Sequence, residues 1–327
     1  MQIDKKTIQN ILVVRNDRFG EFLLNIPAFR ALKETFINAR LIAVVNPSVK
    51  ELAGNISFID EIIEWDQERH PLAGKLGFVN LLRKMKIDIA VMLNPNKEFN
   101  IFTYLSGIPI RAGYNRKWGF LLTHKMADKK YLGRRHEIEY NLELVSLTGA
   151  TTQNKELCLT IDDRRINDLS GIFNIKDYNN LIALHPWTSD PVKQWPIQNF
   201  RELAERLTRE QGVAVVAVGG KDELTKSTGL FKDIDGNLLN LTGKTTLMQL
   251  AAILKKCKLL ISGDSGPAHL ACSVGTKVLA IFRNDIPGKS AHRWGPWGDG
   301  HTVIEKANIT DITVAEVFDK ARGVLNK

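Results

Sequence analysis

Short apolar runs alternate with longer amphipathic segments along the whole chain. In the first half, the runs predict strands and the segments between them have helical spacing. This alternation is typical of βα units, in which short connections join parallel strands to helices. The predicted strands are 10–16, 40–46, 60–65, 88–94 and 110–114, and the predicted helices are 21–36, 71–86, 97–106 and 136–148.

The second half repeats the pattern. Its predicted strands are 181–187, 213–219, 237–241, 259–263 and 277–282, and its helices are 199–211, 222–233, 246–257 and 267–274. A turn-rich "KDYNN" predicts a hinge near 174–180, and the last segment has helical spacing with Thr310 or Asp311 as its cap. We therefore predict an α/β protein of two domains with its chemistry in the cleft between them.

The composition is that of an ordinary globular protein. A chain of 327 residues exceeds what one core uses, in agreement with two domains. It has no apolar window long enough for a membrane span and no signal-peptide pattern, so we expect a cytoplasmic protein. Cys158, Cys257 and Cys272 form no CxxC pair and are predicted to be buried thiols.

The net charge of +9 is unevenly placed. A cluster of basic residues lies between 111 and 135. A cluster of this kind either binds nucleic acid, anionic lipid or a phosphorylated ligand, or is a solvated basic loop. We expect no nucleic-acid partner, because no helix-turn-helix or aromatic-interleaved basic motif is present. The segment contains one acid, Asp128, and eight basic residues, which are Arg111, Arg116, Lys117, Lys125, Lys129, Lys130, Arg134 and Arg135.

The stretch "LLISGDSGPAHLACSVGTKVLAIF" at 259–282 carries the strongest chemical signal. A strand runs into Asp264 and Ser265, and Pro267 then opens a helix. The backbone N–H groups of such a turn form an anion site, where Asp264 would accept hydrogen bonds from sugar hydroxyls. Alternatively, Asp264 or Ser265 only caps the helix and His269 is a core residue.

Two further loops follow predicted strands of the second half. In "LHPWTSDPVKQWPIQNF", Lys193 is placed to reach a diphosphate and neutralise a leaving group, although single lysines are usually solvated. In "VGGKDEL", Asp222 and Glu223 are placed to bind ribose hydroxyls. Charge complementarity with a helix N-terminus explains these two acids almost as well.

The stretch "RNDRFGEFLLNIPAFRALKE" at 15–34 follows the first predicted strand, where a glycine-rich phosphate loop usually lies. Gly20 is its only glycine, and Glu21 follows directly. The missing GxGxxG excludes a dehydrogenase. Glu21 either complements the helix N-terminus or has another role.

Together these blocks resemble glycosyltransferase family nine, the ADP-heptose:lipopolysaccharide heptosyltransferases of Gram-negative bacteria. The family pattern "RxDRxGDxxLxxPAxRALK" is matched at 15–33, "HPG…K.WP" at 185–196 and "GG..E" at 219–223. "LTGKTTLMQLAAILKKC", "GDSGPAHLACSVGTKVLAIF" and "RWGPWG" match three more blocks in the family order. The resemblance therefore covers nearly the whole chain.

The resemblance implies a GT-B architecture, with two Rossmann-like domains facing a central cleft. The expected domains are 1–175 for the acceptor and 176–309 for the nucleotide sugar, with 310–327 as a helix packing back on the first domain. Family enzymes invert the sugar configuration and need no metal or other cofactor. The "DxD" at 233–235 is then a polar turn.

The resemblance also implies roles for individual residues. Glu21 occupies the position of the family aspartate that acts as general base, and Lys193 that of the lysine stabilising departing ADP. Asp264 matches the aspartate that binds the transferred sugar. The remaining donor-binding residues implied are Thr188, Ser189, Glu223, Ser265, Gly266 and His269.

Two positions depart from the family pattern. Glutamate at 21 shifts the carboxylate by roughly 1.5 Å, and misplacement by about 1 Å can cost about 100-fold in rate. A compensated base, a different acceptor and weakened activity all remain open. Trp187 stands where glycine is common, which leaves the exact donor sugar open.

The predicted function is transfer of heptose from ADP-heptose to Kdo or heptose of the lipopolysaccharide inner core. The alternatives are another nucleotide sugar for a different surface glycan, or a weakened nucleotide- or glycan-binding homologue. Basic residues would bind the anionic acceptor and transiently hold the protein on the cytoplasmic face of the inner membrane. The predicted acceptor-binding residues are Arg111, Arg116, Lys117, Arg134 and Arg135.

Overall fold

A computed structural model describes residues 3–66, 71–162, 172–173, 178 and 180–325. The chain forms two compact units, Met1–Glu156 and Leu157–Lys327. The division falls before the predicted boundary at 175, and most of the predicted hinge at 174–180 lies outside the described residues.

The first unit is built on a six-stranded parallel sheet with the order β3-β2-β1-β4-β5-β6. Its strands are β1 Asn10–Val14, β2 Arg40–Val45, β3 Glu61–Glu64, β4 Ile89–Met92, β5 Ile110–Tyr114 and β6 His124–Met126. Its helices are α1 Phe19–Leu23, α2 Ile26–Thr35, α3 Lys50–Ala53, α4 Leu72–Lys84, α5 Lys97–Leu105 and α6 Glu137–Ser146.

The second unit repeats this topology in the order β12-β11-β10-β7-β8-β9, again parallel throughout. Its strands are β7 Asn180–His185, β8 Val213–Ala217, β9 Leu238–Asn240, β10 Leu259–Ser262, β11 Lys277–Arg283 and β12 Thr302–Lys306. Its helices are α7 Ile197–Thr208, α8 Leu224–Leu230, α9 Leu247–Lys256, α10 Gly266–Ser273, α11 Ala291–Trp294 and α12 Val314–Leu325.

Both sheets have the strand order of a Rossmann fold, so the predicted fold class is confirmed. In each sheet the order reverses beside the first strand, between β1 and β4 and between β7 and β10. Ligands of open parallel sheets bind outside the carboxyl ends of the strands at such a point. The segments that follow these four strands are therefore the candidate ligand-binding segments.

The sequence pattern missed the strands β6 and β12. Both lie at the edges of their sheets, and neither contains a fully buried residue. An edge strand is covered less than a central one, so its sequence need not contain an apolar run.

The helix predicted at 21–36 is two helices, α1 and α2, separated at Leu24 and Asn25. Pro27 lies in the first turn of α2 and has no N–H to continue α1, while its ring would meet the carbonyl of Leu23. The Leu24 carbonyl at the break accepts a hydrogen bond from Asn141 Nδ2 at 3.3 Å. The break leaves Glu21 on a short helix of its own.

The final helix, α12, packs in the core of the second unit, where Val317 and Ala321 are fully buried. It begins at Val314, and its cap is Thr313 rather than the predicted Thr310 or Asp311. The Thr313 hydroxyl accepts from the Glu316 N–H at 3.2 Å, and the Glu316 carboxylate accepts from the Thr313 N–H at 3.0 Å, which is a capping box. Packing of this helix on the first unit remains a prediction.

The prediction of three buried thiols is wrong for Cys158, which is exposed. Cys158 lies in an extended segment where Leu157 and Leu159 point inward, so the alternation of side chains turns the thiol outward. Cys257 and Cys272 are buried, and burial raises the pKa of Cys272 to about 12. No helix within the described ranges is long and apolar enough to cross a membrane.

Candidate active site

Glu21 lies in the first turn of α1 and is half-buried. This helix follows β1, at the switch point of the first sheet, which is the place where the strand order reverses. Burial raises the pKa of its carboxyl group, and the charge of Asp17 raises this pKa further, against the opposing charges of Arg15 and Arg18. Asn25 Nδ2 donates to the Glu21 carbonyl at 2.6 Å and holds the backbone there. A carboxylate with a raised pKa is the better general base near neutral pH.

Arg15 organises the charged side chains at this end of the sheet. Its Nε donates to Asp17 Oδ1 at 2.8 Å, and its Nη1 lies 4.0 Å from Glu137 Oε1. The buried Lys130 pairs with the same Glu137 carboxylate at 2.5 Å. Lys130 therefore stabilises the interior of the unit, although the sequence counted it in the basic segment.

Two asparagines at the switch point have unsatisfied amide groups, and the sequence analysis overlooked both. Asn16 is only 6 % exposed, yet neither its Nδ2 nor its Oδ1 has a hydrogen-bond partner among the described residues. Oδ1 of Asn94, just past β4, is buried and unpartnered within the same described part of the chain. Buried amides normally find partners, so these atoms are suited to a bound ligand.

Two of the predicted acceptor-binding arginines already have partners. Arg111 Nε donates to the Leu121 carbonyl at 2.9 Å, and its guanidinium lies 5.5 Å from the Tyr104 ring centroid. Arg116 Nη1 is 2.6 Å from Asp128 Oδ2. Both side chains therefore contribute to the local structure of the β5–β6 connection.

The other predicted acceptor-binding residues lie in two separate places. Arg134 and Arg135 line a cavity of about 330 Å³, where Arg135 Nη1 is 3.0 Å from Glu143 Oε2. Lys117 is exposed and lines a different groove. The structure does not gather the five basic residues into one site.

In the second unit, hydrogen bonds join the carboxyl ends of β7 and β10. His185 Nδ1 is 3.2 Å from Ser262 Oγ, which is 2.7 Å from Ser265 Oγ. Burial lowers the pKa of His185 to about 4, so this imidazole is neutral at neutral pH. Ser262 had no assigned role in the sequence analysis, although it directly precedes the "GDSG" motif.

This chain of hydrogen bonds determines the chemistry at the start of α10. Ser265 is the N-cap residue, but its hydroxyl is directed toward Ser262 and makes no side-chain cap bond. Pro267 has no N–H and the Ala268 N–H donates to the Ser265 carbonyl at 3.2 Å, so the Gly266 N–H is the donor that this helix start offers to an anionic ligand. His269 is buried in the same helix, at 4 % exposure.

Lys193 and Asp264 form an ion pair at the switch point, although they are 71 residues apart in the sequence. Their side chains are 19 % and 10 % exposed. Burial raises the pKa of Asp264, and the neighbouring Lys193 ammonium opposes that shift. A solvated Lys193 is therefore excluded, and its ammonium lies directly beside the Asp264 carboxylate.

Three residues without an assigned role hold the loop that carries Lys193. Gln194 Nε2 donates to the Pro186 carbonyl at 2.6 Å, and its Oε1 accepts from the Thr188 N–H at 3.2 Å. Arg283 Nη1 donates to the Val192 carbonyl at 2.9 Å. Lys289 Nζ pairs with Asp190 at 2.6 Å, while Ser189 is exposed at the loop surface.

The loop after β8 depends on two glycines. A Cβ at Gly219 would lie 2.8 Å from Trp187 Cδ1, and a Cβ at Gly220 would lie 2.8 Å from Glu223 Oε2. The Glu223 carboxylate thus folds over Gly220, half-buried beside the strand end. Trp187, which replaces a common family glycine, packs against Gly219 and has no partner for Nε1 among the described residues.

Among the residues that the structure describes, no three His, Cys, Asp or Glu side chains come together as a metal site requires. Independence of metal remains a prediction.

Two Rossmann-like units, each with its candidate residues at a strand-order reversal, place the protein in the GT-B fold class. A model of glycosyltransferase family 9 (heptosyltransferase) matches residues 77–317. The chain belongs to this family, and the resemblance found in its motifs is confirmed. It is therefore a glycosyltransferase related to the heptosyltransferases of lipopolysaccharide core synthesis.

Individual relatives agree with this assignment. The chain is 32 % identical to lipooligosaccharide heptosyltransferase 2 of Haemophilus influenzae, over 96 % of this chain and 92 % of the relative. It is 23 % identical to lipopolysaccharide heptosyltransferase 2 of Salmonella typhimurium, over 85 % and 83 %.

Solved structures share the fold at low sequence identity. A glycosyltransferase of family 9 from Veillonella parvula matches with a TM-score of 0.85 at 21 % identity, covering 99 % of both chains. The E. coli ADP-heptose lipopolysaccharide heptosyltransferase II matches with a TM-score of 0.84 at 19 % identity, covering 97 % of this chain and 99 % of that one.

Proposed function

We propose that the protein transfers a heptose from ADP-heptose to a Kdo or heptose residue of the lipopolysaccharide inner core, with inversion at the anomeric carbon. The pairing of Lys193 with Asp264 at the start of α10 carries the proposal. It combines a cation and the Gly266 N–H for phosphate with an acid for sugar hydroxyls. The related heptosyltransferases of lipopolysaccharide synthesis support the same donor and acceptor.

On the donor side, the diphosphate competes with Asp264 for the Lys193 ammonium. The Gly266 N–H at the start of α10, next to Ser265, meets the same phosphates. Negative charge grows on the leaving ADP as the sugar–phosphate bond breaks, and these donors stabilise it. Asp264, released from part of its ion pair, accepts hydrogen bonds from the heptose hydroxyls.

On the acceptor side, Glu21 takes the proton of the acceptor hydroxyl as its oxygen bonds to the anomeric carbon. The anomeric carbon–oxygen bond to ADP breaks in the same displacement, so the configuration inverts. The raised pKa of Glu21 favours this proton transfer. Asn16, in the loop that leads from β1 to α1, offers amide N–H donors and an amide oxygen acceptor, which suits a sugar hydroxyl.

We favour a compensated base over a different acceptor or weakened activity. The Glu21 carboxyl group is half-buried and its pKa is raised, as a general base near neutral pH requires. Binding of acceptor by the exposed Arg134, and action at the cytoplasmic face of the inner membrane, are part of the proposal.

Acceptor-dependent release of ADP tests the function. The purified protein is given ADP-heptose with and without heptose-deficient lipopolysaccharide, in parallel with UDP- and GDP-sugars and with a chelator. Release that requires both ADP-heptose and acceptor, and that persists with chelator, supports the proposal.

Lys193→Ala is expected to weaken ADP binding and turnover together. Acceptor-dependent release from another nucleotide sugar would replace the proposed donor, and ADP binding without release from any donor would favour the weakened homologue.

A further inference from the structure

A groove of about 760 Å³ opens on the surface of the first unit between α4 and α5. Three leucines on its walls are strongly exposed: Leu72 by 74 %, Leu76 by 55 % and Leu105 by 46 %. Val79 and Phe102 close its floor. Isolated exposed leucines are ordinary, but a contiguous set around one groove marks an interaction surface.

Two aromatic side chains extend this apolar surface. Trp118 and Phe120 are 46 % and 68 % exposed, with ring centroids 5.7 Å apart. The Lys97 ammonium, from the wall of the groove, lies 4.4 Å from the Trp118 ring centroid. The aromatic pair and the groove therefore belong to one surface.

The backbone that presents these rings is strained. Lys117 and Trp118 have φ angles of 46° and 68°, in the left-handed region that side chains rarely adopt. Asn100 Nδ2 donates to the Lys117 carbonyl at 3.0 Å and anchors this turn to α5. Such conformations persist only where surrounding contacts hold them, and strain of this kind gathers at functional surfaces.

Basic side chains surround the groove. Lys75, Lys97 and Lys117 line it, against one acid, Glu98, which pairs with Lys75 at 2.5 Å. Lys97 and Lys117 therefore give the groove a net positive charge.

We propose that the α4–α5 groove, with Trp118, Phe120 and the surrounding basic residues, docks the protein on a bilayer of anionic phospholipid. Apolar side chains that enter the boundary between headgroups and acyl chains, with lysines around them, are the pattern of an interfacial surface. Trp is suited to the headgroup level, and basic residues attract anionic lipid. The excess of positive charge favours binding to an anionic partner, and the apolar centre of the surface favours lipid as that partner.

Vesicle sedimentation with the full chain tests the docking, in the absence of nucleotide sugar and lipopolysaccharide. We expect binding to vesicles of phosphatidylcholine mixed with phosphatidylglycerol, much weaker binding to phosphatidylcholine alone, and loss of binding with added salt. Equal binding to both vesicle types, or none to either, would overturn the proposal. Binding that appears only when lipopolysaccharide is added would assign the groove to the acceptor's own lipid, and would overturn it equally.

Paired variants localise the surface. Leu76→Asp combined with Phe120→Asp is expected to weaken vesicle binding at least tenfold, because each places a carboxylate where lipid would lie. Ile37→Asp is the matched control, since Ile37 is 77 % exposed on the same unit and does not line the groove. Wild-type binding by the double variant, or an equal loss in the control, would contradict the assignment.

Two further readouts separate docking from folding and from catalysis. Trp118 fluorescence should shift to shorter wavelength on vesicle binding, and Trp118→Phe should remove that shift while leaving sedimentation with vesicles largely intact. With a water-soluble acceptor fragment that has no lipid, the double variant should release ADP at the wild-type rate. Reduced release from the soluble fragment would show that the change disturbs the unit itself, and would return the groove to a structural role.

Discussion

Glu21 is a single side chain on which the proposed chemistry of the first unit depends. Its carboxylate is half-buried near Asp17, and both features favour the protonated form. A base must be deprotonated to act, so activity should be lost as the pH falls through the raised pKa of Glu21. The midpoint of that loss should lie above the ordinary value of 4.5.

Glu21→Gln is accordingly expected to lower kcat by about 100- to 10,000-fold, the usual contribution of a general base, with ADP affinity unchanged. Asp17→Asn should shift the acidic midpoint of kcat/KM to lower pH, because it removes a negative charge that raises the pKa of Glu21. Measured pH–rate profiles of the three proteins check both statements. A fully active Glu21→Gln enzyme would refute the assignment.

A second prediction at the residue scale concerns the binding of acceptor by Asn16. Asn16→Ala is expected to raise the acceptor KM roughly tenfold, since leaving a buried polar group of the bound acceptor without its partner costs about 1–3 kcal/mol. Thermal stability should not fall, because the amide has no hydrogen-bond partner within the described residues.

Asn180→Ala is the control for Asn16, because Asn180 Oδ1 is also buried without a partner in the part of the chain described, but lies at the start of β7. This variant should leave the acceptor KM unchanged. Similar kinetics for the two variants would show that an unpartnered amide is no sign of acceptor binding here.

Among the elements, the loop after β8 is tightly packed against Trp187, near the proposed donor-binding residues. Gly219→Ala would place a methyl group 2.8 Å from Trp187 and 2.9 Å from Thr242. We expect a loss of about 1–3 kcal/mol in the free energy of unfolding, as for other overpacked sites, and weaker ADP binding because Trp187 begins the Lys193 loop. Chemical denaturation and ADP titration measure the two effects.

Gly229→Ala provides the contrast within the neighbouring helix α8. A Cβ at Gly229 meets no atom within 4 Å, and alanine is favoured over glycine in helices by up to about 1 kcal/mol. This variant should be equally or more stable and should bind ADP normally. If both variants behaved alike, the close packing of Trp187 on Gly219 would not govern the loop.

The elements also show where the sequence pattern succeeds. Central strands such as β1 and β10 are predicted because they are buried on both faces and so carry continuous apolar runs. The edge strands β6 and β12 lack such runs and were missed. The break between α1 and α2 was missed because helical spacing continues through Pro27, and only the proline chemistry interrupts it.

For the whole molecule, the proposed donor-binding residues all belong to the second unit and the proposed base, Glu21, belongs to the first. ADP is therefore expected to slow backbone hydrogen exchange at 185–195, 219–223 and 263–269, and to leave 15–25 unchanged. A ligand at 100 times its Kd stabilises its site by about 2.7 kcal/mol, which is a large change in local exchange.

Hydrogen exchange measured by mass spectrometry checks this prediction, with Lys193→Ala as the control that needs more ADP for the same protection. Protection at 15–25 by ADP alone would move the nucleotide to the first unit and contradict the division of roles.

The sequence alone determined the alternation of strands and helices, the family, and the candidate site segments that contain Lys193, Asp264 and Glu21. These are local properties, because the periodicity of buried positions and the residue types of a turn can be read from consecutive residues. Only the tertiary structure decided which polar groups find partners. It paired Lys193 with Asp264 across 71 residues, buried Lys130 against Glu137 and left Asn16 unsatisfied, since such contacts depend on how separate strands align.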